Sequence, residues 1–424
     1  MTPASDIVPE LFVRSKFPDF LDLPWGKELG DWTQEDGVVQ VERGLSRHEV
    51  VFVFLDEDIF VIKELPGKLG RTEYQTLKML KKLNLPVVTP VGYGFLRRPT
   101  DDEDRSVVIT RYLDFSLPYR SLFTDKHLER YRIRLLDALA SLLVNIHLKG
   151  VFWGDISLSN VLFKRDAGTL EAYMVDAETT EIHDSISDTK RNYDLSIMVE
   201  NIAGELMDLS ILYPLPDTFD IFTTGEDIRE RYEKLWAEIN DTSVFERGSS
   251  VKYCIQDRVR KLNELGFSVD EVSIVPAEEG RAVKVRPVVT DQHYHRNFLH
   301  SLTGLVAGET QSRLLLNEIR GVQGQMAEKQ NRSVPMATAA YNWLNNNYQT
   351  TLDEFRNKYR IDEENIDLLE LYCQVIEHKW LLSEARGEDV GMGNAVIDYL
   401  TKFENTGTIP RKTSPSVQKK KNRT

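Results

Sequence analysis

The sequence predicts an α+β chain with a sheet-rich front, a helical middle and a mainly helical rear that carries one small β-hairpin. Two patterns point to this. Up to about residue 115, short runs of Val, Ile and Phe are broken by turn residues and accompany a single amphipathic helix. Beyond that point, leucine and isoleucine recur mostly at helical spacing.

Taken in order, residues 1–36 are rich in Pro, Asp and Trp, lack periodicity and read as irregular. "GVVQVERG", "HEVVFVFL" and "IFVIKELP" read as strands, with "DED" turning between the last two. "RTEYQTLKMLKKLN" reads as a helix, "LPVVTPVGYGF" as a Pro/Gly-rich passage and "SVVITRYL" as a further strand. In "KHLERYRIRLLDALASLLVNIHLKG", Leu135, Leu139, Leu142, Leu143 and Ile146 form a stripe, and Gly150 falls where a helix cap belongs. "NVLFK" and "LEAYMVD" make a hairpin closed by "RDAG", and "YDLSIMVENIAGELMDL" is helical. "DEVSIVPAEEGRAVKVRPVV" is a second hairpin, and the rest is helical, with Trp343, Tyr348, Tyr372 and Trp380 read as core.

The expected divisions are an irregular segment 1–36, a front domain 37–240 split near residue 115, a helical domain 241–403 and a basic disordered tail 404–424. The chain has 424 residues, 67 of them acidic and 53 basic, for a net charge of −14. Such a surface repels phosphate backbones, so no nucleic-acid partner is expected. No run of apolar residues is long enough to span a bilayer, no signal pattern opens the chain, and Cys254 and Cys373 lie far apart. A cytoplasmic, reduced setting is the expectation.

Polar residues in apolar surroundings carry the functional argument. Strand alternation sets Lys63 on one face with Ile59, Val61 and Leu65, while Glu73 lies on the apolar stripe of Leu77 and Leu80. Two inward charges are costly unless they meet, and a lysine so held is ready for an anion. The plainer reading has Lys63 reaching the surface and Glu73 serving its helix's first turn. In "GVFWGDISLSNVLF", Asp155 and Asn160 sit in a loop between a buried helix and a strand. Folding back the hairpin "NVLFKRDAGTLEAYMVD" can bring Asn160 to Asp176, and a carboxylate beside an amide oxygen suits Mg²⁺. Asp155 stands apart, able to accept a hydroxyl proton. Glu178 is a candidate further ligand beside the simpler reading of an exposed loop acid.

This constellation resembles the protein kinase-like superfamily, which implies a two-lobed fold over 37–240 followed by the helical C-terminal domain. Lys63 in "FVIKEL" looks like the phosphate-binding lysine and Glu73 like its helix partner. Asp155 and Asn160 in "GDISLSN" look like the catalytic aspartate and metal-binding asparagine, and Asp176 in "VDAE" like the metal aspartate. "GLSRHEV", "FSLPYRSLF", "FWGDISLSNVLFKRDAG", "AYMVDAETTE" and "VIEHKWLLSEARGEDVG" resemble a bacterial lipopolysaccharide-kinase-like family, on the aminoglycoside-phosphotransferase side, with a C-terminal domain of unknown function. The resemblance implies ATP and Mg²⁺ as cofactors and a hydroxyl acceptor as partner. The stretch between Asp176 and the helix holding Asp194 is short and has no Ala-Pro-Glu-like anchor for a peptide, which suits a small molecule, sugar or lipid head group.

The sequence departs from the pattern in three places, one of them Trp153, which stands in place of a histidine and reads as packing. The nucleotide-covering loop offers only Gly44, with Ser46 and Arg47 as side-chain donors, and Ser157 stands where a cation is often found. Three functions stay open: a Mg²⁺- and ATP-dependent phosphotransferase, a catalytically inactive pseudokinase that senses nucleotide or scaffolds a partner, and a metal-assisted hydrolase built on Asp155 and Asp176. The C-terminal helices offer a surface for a protein partner. His293, His295 and His300 lack ligand spacing and read as structural or surface residues.

Overall fold

The computed structural model describes residues 9–403 except 42–46, 97–103, 125–127, 129–130, 168, 217–218, 241–242, 247–254, 257–258, 261, 263–266, 278–281, 292, 358, 360 and 362–365. The first lobe is an antiparallel sheet of β1 (Glu10–Val13), β2 (Val50–Leu55), β3 (Asp58–Pro66), β4 (Thr89–Leu96) and β5 (Arg105–Arg111), ordered β1-β4-β5-β3-β2. Asp56 and Glu57, both with left-handed φ of 47° and 69°, turn β2 into β3 and match the twist of the two strands. Helix α1 (Leu69–Lys82) lies on the sheet through a buried face of Glu73, Tyr74, Thr76, Leu77 and Leu80. Its first turn meets β5 so closely that a Cβ on Gly70 would stand 2.7 Å from the Val107 carbonyl oxygen, while the Gly70 N–H donates to Ser106 Oγ at 2.9 Å. Only glycine allows that approach, which sets the height of Glu73 above the sheet.

The second lobe contains β6 (Ser116–Pro118), α2 (Tyr119–Thr124), α3 (Arg132–Leu148), β7 (Val151–Phe152), β8 (Val161–Asp166), β9 (Thr169–Met174), β10 (Glu181–Ile182), α4 (Asp188–Leu212) and α5 (Thr224–Asn240). The leucine stripe of α3 is wholly buried, and Gly150 follows the helix with φ of 75°. Strands β6, β8 and β9 form a three-stranded sheet, and β7 pairs with β10.

The rear begins with β11 (Ser243–Glu246), β12 (Ser268–Ala277) and β13 (Ala282–Asp291), a sheet ordered β11-β13-β12. Helices α6 (Tyr294–Thr303), α7 (Glu309–Gln330), α8 (Met336–Trp343), α9 (Gln349–Asn357), α10 (Leu368–Arg386) and α11 (Met392–Phe403) follow. Their own core gathers Leu315, Ile319, Trp343, Phe355, Tyr372 and Val375. Among the described residues no helix is long and apolar enough to cross a membrane.

Several expectations are corrected. The N-terminal segment is not wholly irregular. Residues 10–13 extend the first sheet at its β4 edge, and Phe20, Leu23, Trp25, Leu29 and Trp32 fill the core behind Phe60 and Ile62. Single apolar residues spaced by prolines and aspartates leave no period to read, yet each reaches the same sheet face. Among its described residues, "GVVQVERG" contributes a bridge from Val38 to Val53, and the Pro/Gly-rich passage supplies β4. The rear hairpin gains a third strand, β11. Trp343, Tyr348 and Tyr372 are buried, but Trp380 is 63% exposed. Cys373 is a buried free thiol, while Cys254 and the tail 404–424 lie outside the described residues.

The aromatic N-terminal segment therefore stabilises the first lobe. Trp25 is buried, and its indole N–H donates to the Phe20 carbonyl at 2.8 Å. Trp25→Ala is expected to cost about 3–5 kcal/mol, read as a lowered midpoint in urea denaturation. A change within error would mean that the segment packs without contributing to stability.

Candidate active site

Lys63 projects from β3 into the cleft between the lobes. Its Nζ lies 3.2 Å from Glu73 Oε2 on α1 and 2.5 Å from Asp176 Oδ2, just past the end of β9. The pairing inferred from strand alternation is thus present, and a third partner from the other lobe joins it. Burial opposes the lysine's charge, but the two carboxylates outweigh it and hold the pKa above its ordinary value. Burial, helped by the like charge of Asp176 and opposed by Lys63, pushes Glu73 up to about 8.

The loop between β7 and β8 carries Asp155 and Asn160. The Asn160 amide N–H donates to the Asp155 carbonyl at 2.9 Å and to its Oδ2 at 3.2 Å. That leaves the amide oxygen as the atom able to meet a cation. The β8–β9 register pairs Val161 with Met174, and the Val175 N–H donates to the Asn160 carbonyl at 3.0 Å. Asn160 and Asp176 therefore flank the open end of one hairpin. Among the described residues no group of three or more His, Cys, Asp or Glu could hold a metal. The donor set of one carboxylate and one amide oxygen fits a hard cation that takes its remaining ligands from phosphate and water.

The loop has few backbone partners of its own, and helix α4 supplies the acceptors instead. Asp194, fully buried, accepts from the Trp153 N–H at 2.8 Å and the Gly154 N–H at 2.9 Å. His147 Nε2 lies 3.2 Å from the same carboxylate, and its Nδ1 lies 2.8 Å from the Tyr232 hydroxyl. Asn201 donates to Asp155 Oδ1 at 3.0 Å and to the Ile156 carbonyl at 3.1 Å. Glu205 accepts from Leu158 N–H at 2.6 Å and Ser159 N–H at 2.9 Å, and burial raises its pKa. These three residues, seven and four apart, occupy one face of α4. Sequence reasoning missed all three as site residues, because polar residues at helical spacing are equally the mark of a solvated face.

The remaining candidates are placed as follows. Trp153 is buried and donates from its indole to the Asp176 carbonyl at 2.9 Å, a packing role with one anchoring bond. The Ser157 hydroxyl accepts the Asn160 N–H at 3.3 Å, so this position caps the loop. Glu178 donates its backbone N–H to Asp176 Oδ1 at 3.0 Å, and its carboxylate lies 3.5 Å from His48 Nε2 of the first lobe. Gly44 and Ser46 lie outside the described residues. His295 is buried against Glu309, with Nδ1 at 2.6 Å from Oε1.

A carboxyl whose pKa is raised on folding favours the native state below its unfolded value, and that advantage is lost as pH rises through the folded value. Glu73 is therefore expected to make stability fall between the ordinary carboxylate range and about pH 8. Thermal denaturation across this window should show a decline that Glu73→Gln flattens. An equal decline in the variant would assign the slope to other groups.

Residues 55–211 match the lipopolysaccharide kinase (Kdo/WaaP) family, and residues 234–403 match a domain of unknown function, DUF4032. No curated protein matches the chain. A solved structure described as WaaP in complex with acyl carrier protein is similar at 17% identity over 53% of this chain and 89% of that chain, with a TM-score of 0.32. Two lobes with a lysine, paired acids and a Gly-Asp loop between them, together with the family match over residues 55–211, make this a kinase-like chain whose front is similar to the lipopolysaccharide kinase (Kdo/WaaP) family and whose rear, residues 234–403, is similar to DUF4032.

Proposed function

We propose that the chain transfers the γ-phosphoryl group of ATP, with Mg²⁺, to a hydroxyl of a non-protein acceptor. The observation that carries this reading is the Lys63 Nζ held between Glu73 and Asp176 at 3.2 and 2.5 Å, above a loop that presents Asp155 and Asn160. Lys63 binds the α/β-phosphates, held in place by Glu73. Asn160 and Asp176 would hold the cation, which would supply charge neutralisation at the phosphates. Asp155, oriented by Asn160 and Asn201, accepts the acceptor's hydroxyl proton. The acceptor oxygen then bonds to the γ-phosphorus as the bond to the ADP oxygen breaks. Most of the rate gain comes from positioning and charge neutralisation.

A compact acceptor is favoured by the segment after Asp176. Residues 177–187 are tied down by the β7–β10 pair, by His183 N–H donating to the Gly150 carbonyl at 3.0 Å and by Thr179 Oγ1 donating to the Trp153 carbonyl at 2.7 Å. Such a segment offers no extended platform for a peptide. A second reading, a non-catalytic nucleotide-sensing or scaffolding module, is favoured by Ser157, whose hydroxyl caps the loop where a cation would steady the phosphoryl group.

Calorimetric titration with Mg²⁺ and ATP separates the two. Lys63→Ala and Asp176→Ala are expected to lose metal-dependent binding. Asp155→Ala should keep it while ADP release with hydroxylated acceptors falls about 100-fold or more. Undiminished turnover in Asp155→Ala would remove it as the base. Absence of binding at millimolar nucleotide would leave only the scaffold reading.

A further inference from the structure

The β8–β9 hairpin has two ends, and the site uses only one. At the closed end, Asp166 is buried, and its carboxylate points away from the site into the first turn of α7, some 140 residues on in the sequence. Its Oδ2 accepts the Thr310 N–H at 2.9 Å and its Oδ1 the Gln311 N–H at 2.8 Å. The next residue, Ala167, donates its N–H to Glu370 Oε2 of α10 at 2.7 Å. Gln311 Nε2 donates to the same Glu370 oxygen at 2.8 Å, and Gln374 Nε2 donates to Glu370 Oε1 at 2.8 Å. Halfway along β9, Arg296 of α6 donates to Glu171 Oε1 at 2.9 Å. The rear helices thus hold the turn from two sides and the edge strand at its middle.

We propose that the C-terminal domain braces the hairpin on which Asn160 and Asp176 stand, with Asp166 as the positioning residue that forms the joint. The inference rests on the metal-binding reading of those two residues. Among the described residues, the sheet beyond β8 and β9 has β6, which pairs with β8 over three residues, and one bridge from Val87 to Met174 at the open end of β9. The open end is thus held within the front domain, while the turn lies past the last β6 partner, Lys164, and meets α7 and α10. Six residues per strand put the turn about 20 Å from the open end, and the continuous Val161–Met174 to Asp166–Thr169 ladder makes the hairpin one stiff piece. Fixing the turn fixes the angle at which Asn160 and Asp176 are presented.

The joint tolerates little change. A Cβ on Gly308 would stand 2.2 Å from Asp166 Oδ1, so the carboxylate occupies the space a side chain would need. Burial and the charge of Glu171 push the Asp166 carboxyl up to about 7, against the pull of the two N–H groups. A group in that position is costly unless the helix N-terminus stays in place.

The test uses the full chain with Gly308→Ala, which pushes on the joint from the rear domain, and Asp166→Asn, which keeps the shape but replaces one acceptor oxygen with a donor. Trp380→Ser, on an exposed site of the same domain, is the control. Two quantities are read well below the melting temperature: Mg²⁺-dependent binding of a non-hydrolysable ATP analogue, and hydrogen exchange along 160–176. Both variants, but not the control, are expected to lose about threefold or more in affinity. Both should also speed exchange at the Val175 N–H, which bonds to the Asn160 carbonyl at the far end. Faster exchange confined to the turn, with affinity unchanged, would overturn the brace and leave Asp166 as a domain fastener. If the wild type binds no analogue, the proposed function falls, and exchange at Val175 alone decides the brace.

Discussion

The arrangement depends on where the charge of Lys63 is balanced. A buried ammonium group needs anionic partners at close range, and here the partners come from both lobes: Glu73 from α1 and Asp176 from the end of β9. Removing the lysine would leave both carboxylates without their counter-charge in the cleft, a loss of about 3–5 kcal/mol for a buried pair. The lobes are therefore registered by one cation, and everything that fixes its partners becomes part of the site. Gly70 does so at a distance, since its missing side chain lets α1 settle against β5 at the height Glu73 requires. Burial, and then the like charge of Asp176 across the shared lysine, keeps the pKa of Glu73 raised.

The loop from Trp153 to Asn160 poses a different problem. It is closely packed yet has almost no strand ladder, so its N–H groups need acceptors from elsewhere. Helix α4 meets that need with Asp194 and Glu205, each accepting two backbone N–H groups, and with Asn201, which holds the Asp155 side chain itself. Charged acceptors make shorter and stronger bonds than neutral ones, which suits a loop that must hold one conformation. Asp194 is in turn fixed by His147, and His147 by Tyr232 of α5, so the loop's shape is set three helices deep.

How much of this was legible follows from which residues broke a local pattern. Lys63 and Glu73 were legible because each sits on the apolar side of a periodic element, and Asp155 and Asn160 because they interrupt an apolar stretch. Asp176 was reachable through the hairpin that leads back to Asn160. Asn201 and Glu205 were not, since a polar residue on a long helix is ordinary until the packing direction is known. Asp166 was hidden for a related reason: in "RDAG" an aspartate is a normal turn residue, and nothing local says that a helix from the rear domain ends on it. The N-terminal strand and its aromatics were hidden by the lack of any period between residues 9 and 36.

The joint between the two domains is an exchange of carboxylates. Asp166 of the front domain accepts backbone N–H groups of the rear, and Glu370 of the rear accepts a backbone N–H of the front. Apart, each acid would be hydrated at little cost. Together, each is desolvated; the Asp166 carboxylate accepts from N–H groups of the rear domain, and Glu370 accepts from Ala167 beside Gln311 and Gln374 of its own domain, so the gain in stability is small and the demand on geometry is high. A joint built mainly to hold two domains together would more simply bury apolar surface. Ala167, the residue beside Asp166, does pack on the rear core, but the polar contacts around it determine orientation. That they fall on the turn of the hairpin carrying Asn160 and Asp176 is what gives the rear domain a mechanical connection to the site.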